Sequence, residues 1–90
     1  MNNRKIGELR KNIDKIDEEL LKKLVERFSI VDKISRIKKM EGRNIEDKDR
    51  EKELKQSRSL MARKLGLEER FVEKLFDLVV HESKKRQICC

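Results

Sequence analysis

Two cations stand in the middle of an apolar stripe that has the spacing of one helix face. At three- and four-residue intervals, this part of the stripe consists of Leu20, Leu24, Arg27, Val31, Ile34 and Lys38. Arg27 and Lys38 are eleven residues apart, so at about 100° per residue their side chains point the same way, about 16 Å from each other. Because an unpaired buried charge costs several kcal/mol, both need acids, water or an anionic ligand. The alternative is that both side chains snorkel to solvent.

Two later segments also become polar on the side that should face a core. At i, i+3, i+4 and i+7 spacing, one face of the first segment holds Asp47, Arg50, Glu51 and Leu54. In the second segment, the apolar stripe of Val72, Phe76 and Val79/Val80 continues into the neutral hydrogen-bonding groups Ser83 and Gln87. Taken separately, these features are also typical of a solvated first turn and of a helix end that leaves the core. Antiparallel packing of the helices would instead bring them round one pocket.

The chemistry of such a pocket is recognition of a small anion. Three cations (Arg27, Lys38 and Arg50) would meet the acceptor Glu51 and the neutral Ser83 and Gln87. The set contains no Cys or His nucleophile, no metal-binding spacing and no glycine-rich phosphate loop. We therefore predict electrostatic binding and stabilisation of a ligand with two acidic groups and a hydroxyl, without metal or cofactor.

The elements that must position these residues are long helices. The chain has no Pro and three Gly, and Gly42 and Gly66 divide it into predicted helices over about 3–40, 45–65 and 67–87, with a tail at 88–90. Asn44 is the expected N-cap of the second helix, and Gly66 the expected C′ residue that closes it. The fold class predicted is all-α, with one long and two shorter helices in a single domain over 1–90.

The first helix is too long to be covered by its own chain. A helix of about 36 residues is about 54 Å long, whereas a compact chain of this size has a diameter of roughly 30 Å. Its apolar stripe begins with Ile6, Leu9, Ile13 and Ile16. The economical way to bury the stripe is a second copy of the chain, so we predict an intertwined helical homodimer with two-fold symmetry.

Composition limits the other classes of function. The 90-residue chain has 25 Lys and Arg against 18 Asp and Glu, a net charge of +7, with 48% of its residues charged. This excess of cations suggests a basic helical binding or dimerisation module as a different class of function. However, the acids are interleaved with the bases, and only Phe28, Phe71 and Phe76 are aromatic. Without a basic stripe or a stacking platform, we expect no nucleic-acid partner.

Targeting signals and cysteine chemistry are not evident in the sequence. No ten consecutive residues are apolar, so we expect neither a membrane partner nor a signal peptide, and a cytoplasmic location. Cys89 and Cys90 are adjacent at the end of the chain, and His81 is its single histidine. Neither a disulfide scaffold nor a metal site is predicted from these residues.

With these features taken together, the sequence resembles the all-helical class of chorismate mutase over essentially its whole length. The resemblance is carried by Leu9-Arg10, Ile13-Asp14, Ile16-Asp17, Leu20-Leu21, Leu24, Glu26-Arg27, Lys38, Asp47-Lys48-Asp49-Arg50-Glu51, and Leu75-Phe76 through Ser83 to Gln87. It implies an intertwined dimer of three-helix protomers that rearranges chorismate to prephenate in phenylalanine and tyrosine biosynthesis.

The resemblance also implies a role for each site residue. Arg10, from the partner protomer, and Arg27 would hold the two substrate carboxylates with help from Lys38 and Ser83. Lys38 and Gln87 would hydrogen-bond the ether oxygen. Glu51 and the backbone near Asp47 would bind the ring hydroxyl, and Arg50 would line the site. The closest rival implied is isochorismate-pyruvate lyase, which shares the fold and a similar substrate; the segment from Asp47 to Glu51 favours the mutase.

Overall fold

The computed structural model describes residues 3–42 and 48–88. Within these ranges the chain forms three helices, α1 (Asn3–Met40), α2 (Lys48–Leu65) and α3 (Glu69–Ile88), and no strand. The predicted all-α fold with one long and two shorter helices is confirmed. The predicted start of the second helix at 45, its N-cap Asn44 and the last two residues of the tail lie outside the described residues.

The first helix contributes to two units of the chain. One unit is Met1–Val31, and the other is Asp32–Cys90, which contains the last turns of α1 together with α2 and α3. No helix in the described part of the chain is long and apolar enough to cross a bilayer.

In the first unit, the apolar stripe of α1 is largely open to solvent. Ile6, Leu9, Ile13, Ile16 and Leu20 expose between 45% and 59% of their surface. Further along the same unit, Leu24, Arg27 and Phe28 are half-buried. The stripe therefore has the apolar character predicted for it, and the described residues of this unit do not cover it.

In the second unit, α2 and α3 pack against each other. The buried apolar residues are Ala62 on α2 with Val72 and Val79 on α3. The stripe predicted for α3 is thus confirmed at its buried positions. On α2, the larger apolar residues Leu60 and Met61 are each 57% exposed. The small side chain of Ala62 therefore forms the buried part of this helix.

The short connection between α2 and α3 has a local cause. Gly66 has a φ of 74°, a left-handed conformation that glycine adopts without steric cost. Its N–H donates to the carbonyl of Arg63 at 3.2 Å, and the N–H of Leu67 donates to the carbonyl of Ala62 at 2.8 Å. These two bonds are those of a Schellman cap, as predicted for a glycine at C′. The chain therefore leaves α2 sharply and enters α3 after three residues.

The third helix begins two residues later than predicted. The N–H of Leu67 forms one of the two hydrogen bonds that cap α2. The first hydrogen bond of α3 runs from the N–H of Val72 to the carbonyl of Glu68, at 3.1 Å. Glu68 thus takes the N-cap position and Glu69 becomes the first residue of the helix.

Candidate active site

Glu51 on α2 and Lys84 on α3 form an ion pair between the two helices. The Nζ of Lys84 lies 2.9 Å from Oε1 of Glu51, and the two side chains are 39% and 41% exposed. Glu51 is at the start of α2 and Lys84 near the end of α3, so the pair joins two helix ends. The pair therefore places Glu51, a predicted site residue, next to the segment of α3 that carries Ser83.

The two residues of this pair line a groove between α2 and α3. Its volume is about 270 Å³, and its lining residues are Glu51, Leu54, Lys55, Arg58, Asp77, Val80, His81 and Lys84. A larger groove of about 520 Å³ lies between the same helices, and none of the predicted site residues that the structure describes lines it. The smaller groove combines two acids, three Lys or Arg side chains, one His and two apolar groups, and of the predicted site residues that the structure describes, Glu51 alone lines it.

Ser83 is buried and bonded to its own helix. It is 5% exposed, and its Oγ donates to the carbonyl oxygen of Val79 at 2.9 Å. Within the described residues, no buried side-chain nitrogen or oxygen lacks a hydrogen-bond partner. To bind a substrate carboxylate, which only accepts hydrogen bonds, the hydroxyl would have to turn its single proton away from the carbonyl oxygen of Val79.

The cations predicted for the second unit differ in burial. Lys38 is half-buried in the last turn of α1. Arg50 is exposed, and its Nη1 lies 3.5 Å from Oε2 of Glu53, one turn further along α2. Lys38 therefore has the partial burial expected of a cation in an apolar seam, whereas Arg50 lies at the surface of the first turn of α2.

The two predicted carboxylate-binding arginines belong to the first unit. Arg10 is exposed, and Arg27 is half-buried. The partial burial of Arg27 agrees with its place in the apolar stripe. Asp47 and the side chain of Gln87 lie outside the described residues, so their predicted positions stay predictions.

Most residues that line the groove were not predicted as site residues, among them Arg58 and Lys84. In the sequence, Lys84 belongs with Lys85 and Arg86 to a run of bases that is typical of a cationic helix end. Arg58 could have been found, because it continues the spacing that links Glu51 and Leu54 along α2. For Lys84 the spacing carries no such signal, since its importance depends on which residue of α2 lies opposite it.

Within residues 3–42 and 48–88, no three His, Cys, Asp or Glu side chains lie close enough together to hold a metal ion.

The chorismate mutase type II family matches residues 9–88. A chorismate mutase from Methanocaldococcus jannaschii is 31% identical over 83 residues, which cover 92% of this chain and 84% of that protein. A bifunctional chorismate mutase/prephenate dehydratase from Buchnera aphidicola subsp. Acyrthosiphon pisum is 33% identical over 78 residues, which cover 87% of this chain and 20% of that protein.

The chain belongs to the chorismate mutase type II family. The prediction of a chorismate mutase, an enzyme of the isomerase class, is thereby confirmed.

Proposed function

We propose that the chain rearranges chorismate to prephenate by holding the substrate in a reactive shape and stabilising charge on its ether oxygen. The family match over residues 9–88 carries this proposal. The reaction is unimolecular and pericyclic, so it requires no nucleophile, general acid or general base. Its barrier is lowered by binding the compact, chair-like conformer in which the bond-forming carbons meet.

We assign the two substrate carboxylates to arginines of α1. Arg27 and Arg10 would each bind one carboxylate, since a guanidinium matches a carboxylate with two parallel hydrogen bonds. Lys38 and Ser83 would assist them. The partial burial of Arg27 and Lys38 supports these roles, because water competes less for a partly buried ion pair.

We assign the ether oxygen to Lys38 and Gln87. As the C–O bond breaks, negative charge grows on this oxygen, and two fixed donors stabilise that charge more than they stabilise the ground state. Glu51, together with the backbone near Asp47, would accept a hydrogen bond from the ring hydroxyl. The position of Glu51 in the groove between α2 and α3 supports its role, and Arg50 would line the rim.

We further propose that the working enzyme is an intertwined homodimer in which Arg10 reaches the partner's site and residues 1–90 form one domain. The support is the apolar stripe of α1, whose side chains from Ile6 to Leu20 are 45% to 59% exposed in the single chain. Soluble monomers rarely expose so continuous an apolar surface. Light scattering at micromolar concentration should give the mass of two chains, and a uniform monomer would contradict the dimer.

One assay tests the activity. The protein is incubated with chorismate, and prephenate is identified against a reaction without enzyme, because chorismate also rearranges slowly by itself. A parallel reaction with isochorismate is examined for salicylate and pyruvate. Rapid formation of prephenate supports the proposal. Salicylate and pyruvate without prephenate would identify a lyase instead, and turnover of neither substrate would leave only a binding or dimerisation role.

A further inference from the structure

We infer that Lys84 is a positioning residue that orients the Glu51 carboxylate towards the substrate's ring hydroxyl. The inference rests on the proposed function, in which Glu51 accepts that hydrogen bond. The observation that carries it is the 2.9 Å ion pair between Lys84 Nζ and Glu51 Oε1, which crosses from α3 to α2. The same two side chains line the groove of about 270 Å³ between the helices.

The geometry leaves the carboxylate able to bind both partners. A carboxylate accepts hydrogen bonds on both oxygens. With Oε1 directed to Lys84, the second oxygen can accept from a hydroxyl in the groove. A glutamate side chain that is 41% exposed would otherwise sample several rotamers, and fixing it in advance removes that entropic cost from substrate binding.

The ion pair matters more for the position of the Glu51 carboxylate than for the stability of the fold. Both partners are about two-fifths exposed, and ion pairs at such exposure contribute little to the free energy of unfolding. The pair nevertheless connects the first turn of α2 with the last turns of α3. Both segments carry proposed substrate contacts, Glu51 on α2 and Ser83 on α3. A small displacement between them would misplace the substrate, to which turnover is sensitive.

A double-mutant cycle on chorismate turnover tests the inference. We expect Lys84→Met to lower kcat/KM about tenfold, a size typical of coupled side chains in contact. In a Glu51→Gln background, the same substitution should change kcat/KM less than about twofold, because the carboxylate that Lys84 orients is gone. Lys84→Arg should retain most of the activity. The matched control is Lys85→Met, which removes the same charge from an exposed neighbour on α3.

A second substrate separates positioning from general attraction of an anion. A chorismate analogue without the ring hydroxyl keeps both carboxylates, so a general electrostatic effect of Lys84 should persist with it. An effect that works by positioning Glu51 should not persist with the analogue, so Lys84→Met and the wild type should then have the same kcat/KM. An equal fall with both substrates, or an equal fall with and without Glu51, overturns the inference.

Two controls keep these outcomes distinct. Wild-type turnover of chorismate is measured first, because its absence would overturn the proposed function and this inference together. Normal wild-type turnover with an unaffected Lys84→Met variant overturns the inference alone. Circular dichroism checks the folding of each variant, and Lys84→Gln, a smaller change, replaces Lys84→Met if the latter does not fold.

Discussion

The guanidinium of Arg58 on α2 lies over the aromatic ring of Phe76 on α3, with Cζ 4.2 Å from the ring centroid. Both residues are half-buried. A cation over an aromatic face is attracted by the negative face of the ring, and the planar guanidinium also stacks on it. This contact joins the two helices beside the groove that contains Glu51.

Removing the cation should loosen the α2–α3 pair. Arg58→Met keeps most of the side-chain volume but loses the charge, and we expect the free energy of unfolding to fall by about 1 kcal/mol. Urea denaturation measures this value. Arg70→Met, an exposed arginine on α3, is the control and should change stability by less than about 0.5 kcal/mol. Equal losses in the two variants would contradict an energetic role for the contact.

Two glycines should respond in opposite directions to the same substitution. Gly66 has a φ of 74°, where an alanine is strained, so Gly66→Ala should destabilise the protein by about 1 kcal/mol. Gly7 lies inside α1, and a Cβ added there meets nothing within 4 Å. Gly7→Ala should therefore stabilise the helix by about 0.5–1 kcal/mol. Denaturation midpoints of the two variants that shift in the same direction would contradict this account.

Much of the fold could be predicted from periodicity and from Gly66. The three- and four-residue spacing on α3 identified Val72 and Val79 as core residues, and both are buried. The start of α3 was missed because the Schellman cap, which depends on hydrogen bonds across the turn, also takes up Leu67. The burial of Ala62 was missed because a small side chain contributes little to an apolar pattern in which Leu60 and Met61 are larger, yet each of these two is 57% exposed.

Less of the candidate site than of the fold could be predicted from the sequence. Helix spacing shows which residues share a face. It correctly grouped Glu51 with Leu54, and both residues line the groove. Spacing does not show which residue of one helix lies opposite which residue of another. That register is set by the packing of α2 on α3, so the pairing of Glu51 with Lys84 became visible only in the structure.

Loss of Lys38 should slow the chemical step strongly. If its ammonium stabilises the charge that grows on the ether oxygen, Lys38→Ala should lower kcat about 10²–10³-fold, as the loss of one oxyanion donor does. Steady-state kinetics with chorismate measures this change. The neighbouring Lys39 is exposed at the same helix end, so Lys39→Ala removes an equal charge and should leave kcat within about twofold of the wild type. Near-full turnover by Lys38→Ala would refute its assignment.

A carboxyl group in place of Gln87 should make the reaction acid-dependent. An ordinary glutamate has a pKa of about 4.3 and is ionised at neutral pH, when it repels the charge growing on the ether oxygen. Its protonated form can donate, and above this pKa the protonated fraction rises about tenfold for each unit of falling pH. The ratio of kcat/KM for Gln87→Glu to that of the wild type should therefore rise as pH falls from about 8 to about 5.

The matched control for that profile is Gln87→Met, which has no donor at any pH. Its activity relative to the wild type should be low and flat across the same range. A flat ratio for Gln87→Glu, or a rise shared by Gln87→Met, would show that residue 87 does not donate to the ether oxygen.

Mixed dimers should reveal whether Arg10 acts across the interface. Arg10→Ala and Lys38→Ala should each be poorly active alone. In a mixed dimer, the protomer with an intact Lys38 receives the intact Arg10 of its partner, so one of the two sites is complete. Random pairing of equal amounts makes about half of the dimers mixed, so about a quarter of all sites should be restored.

The experiment refolds the two variants together from denaturant and compares kcat per chain with that of each variant refolded alone. Recovery of about a quarter of wild-type activity is expected if two chains build each site. If Arg10 instead served the site of its own chain, one site of every mixed dimer would lack Arg10 and the other would lack Lys38. The mixture would then be no more active than the average of the two variants, because no site would hold both cations.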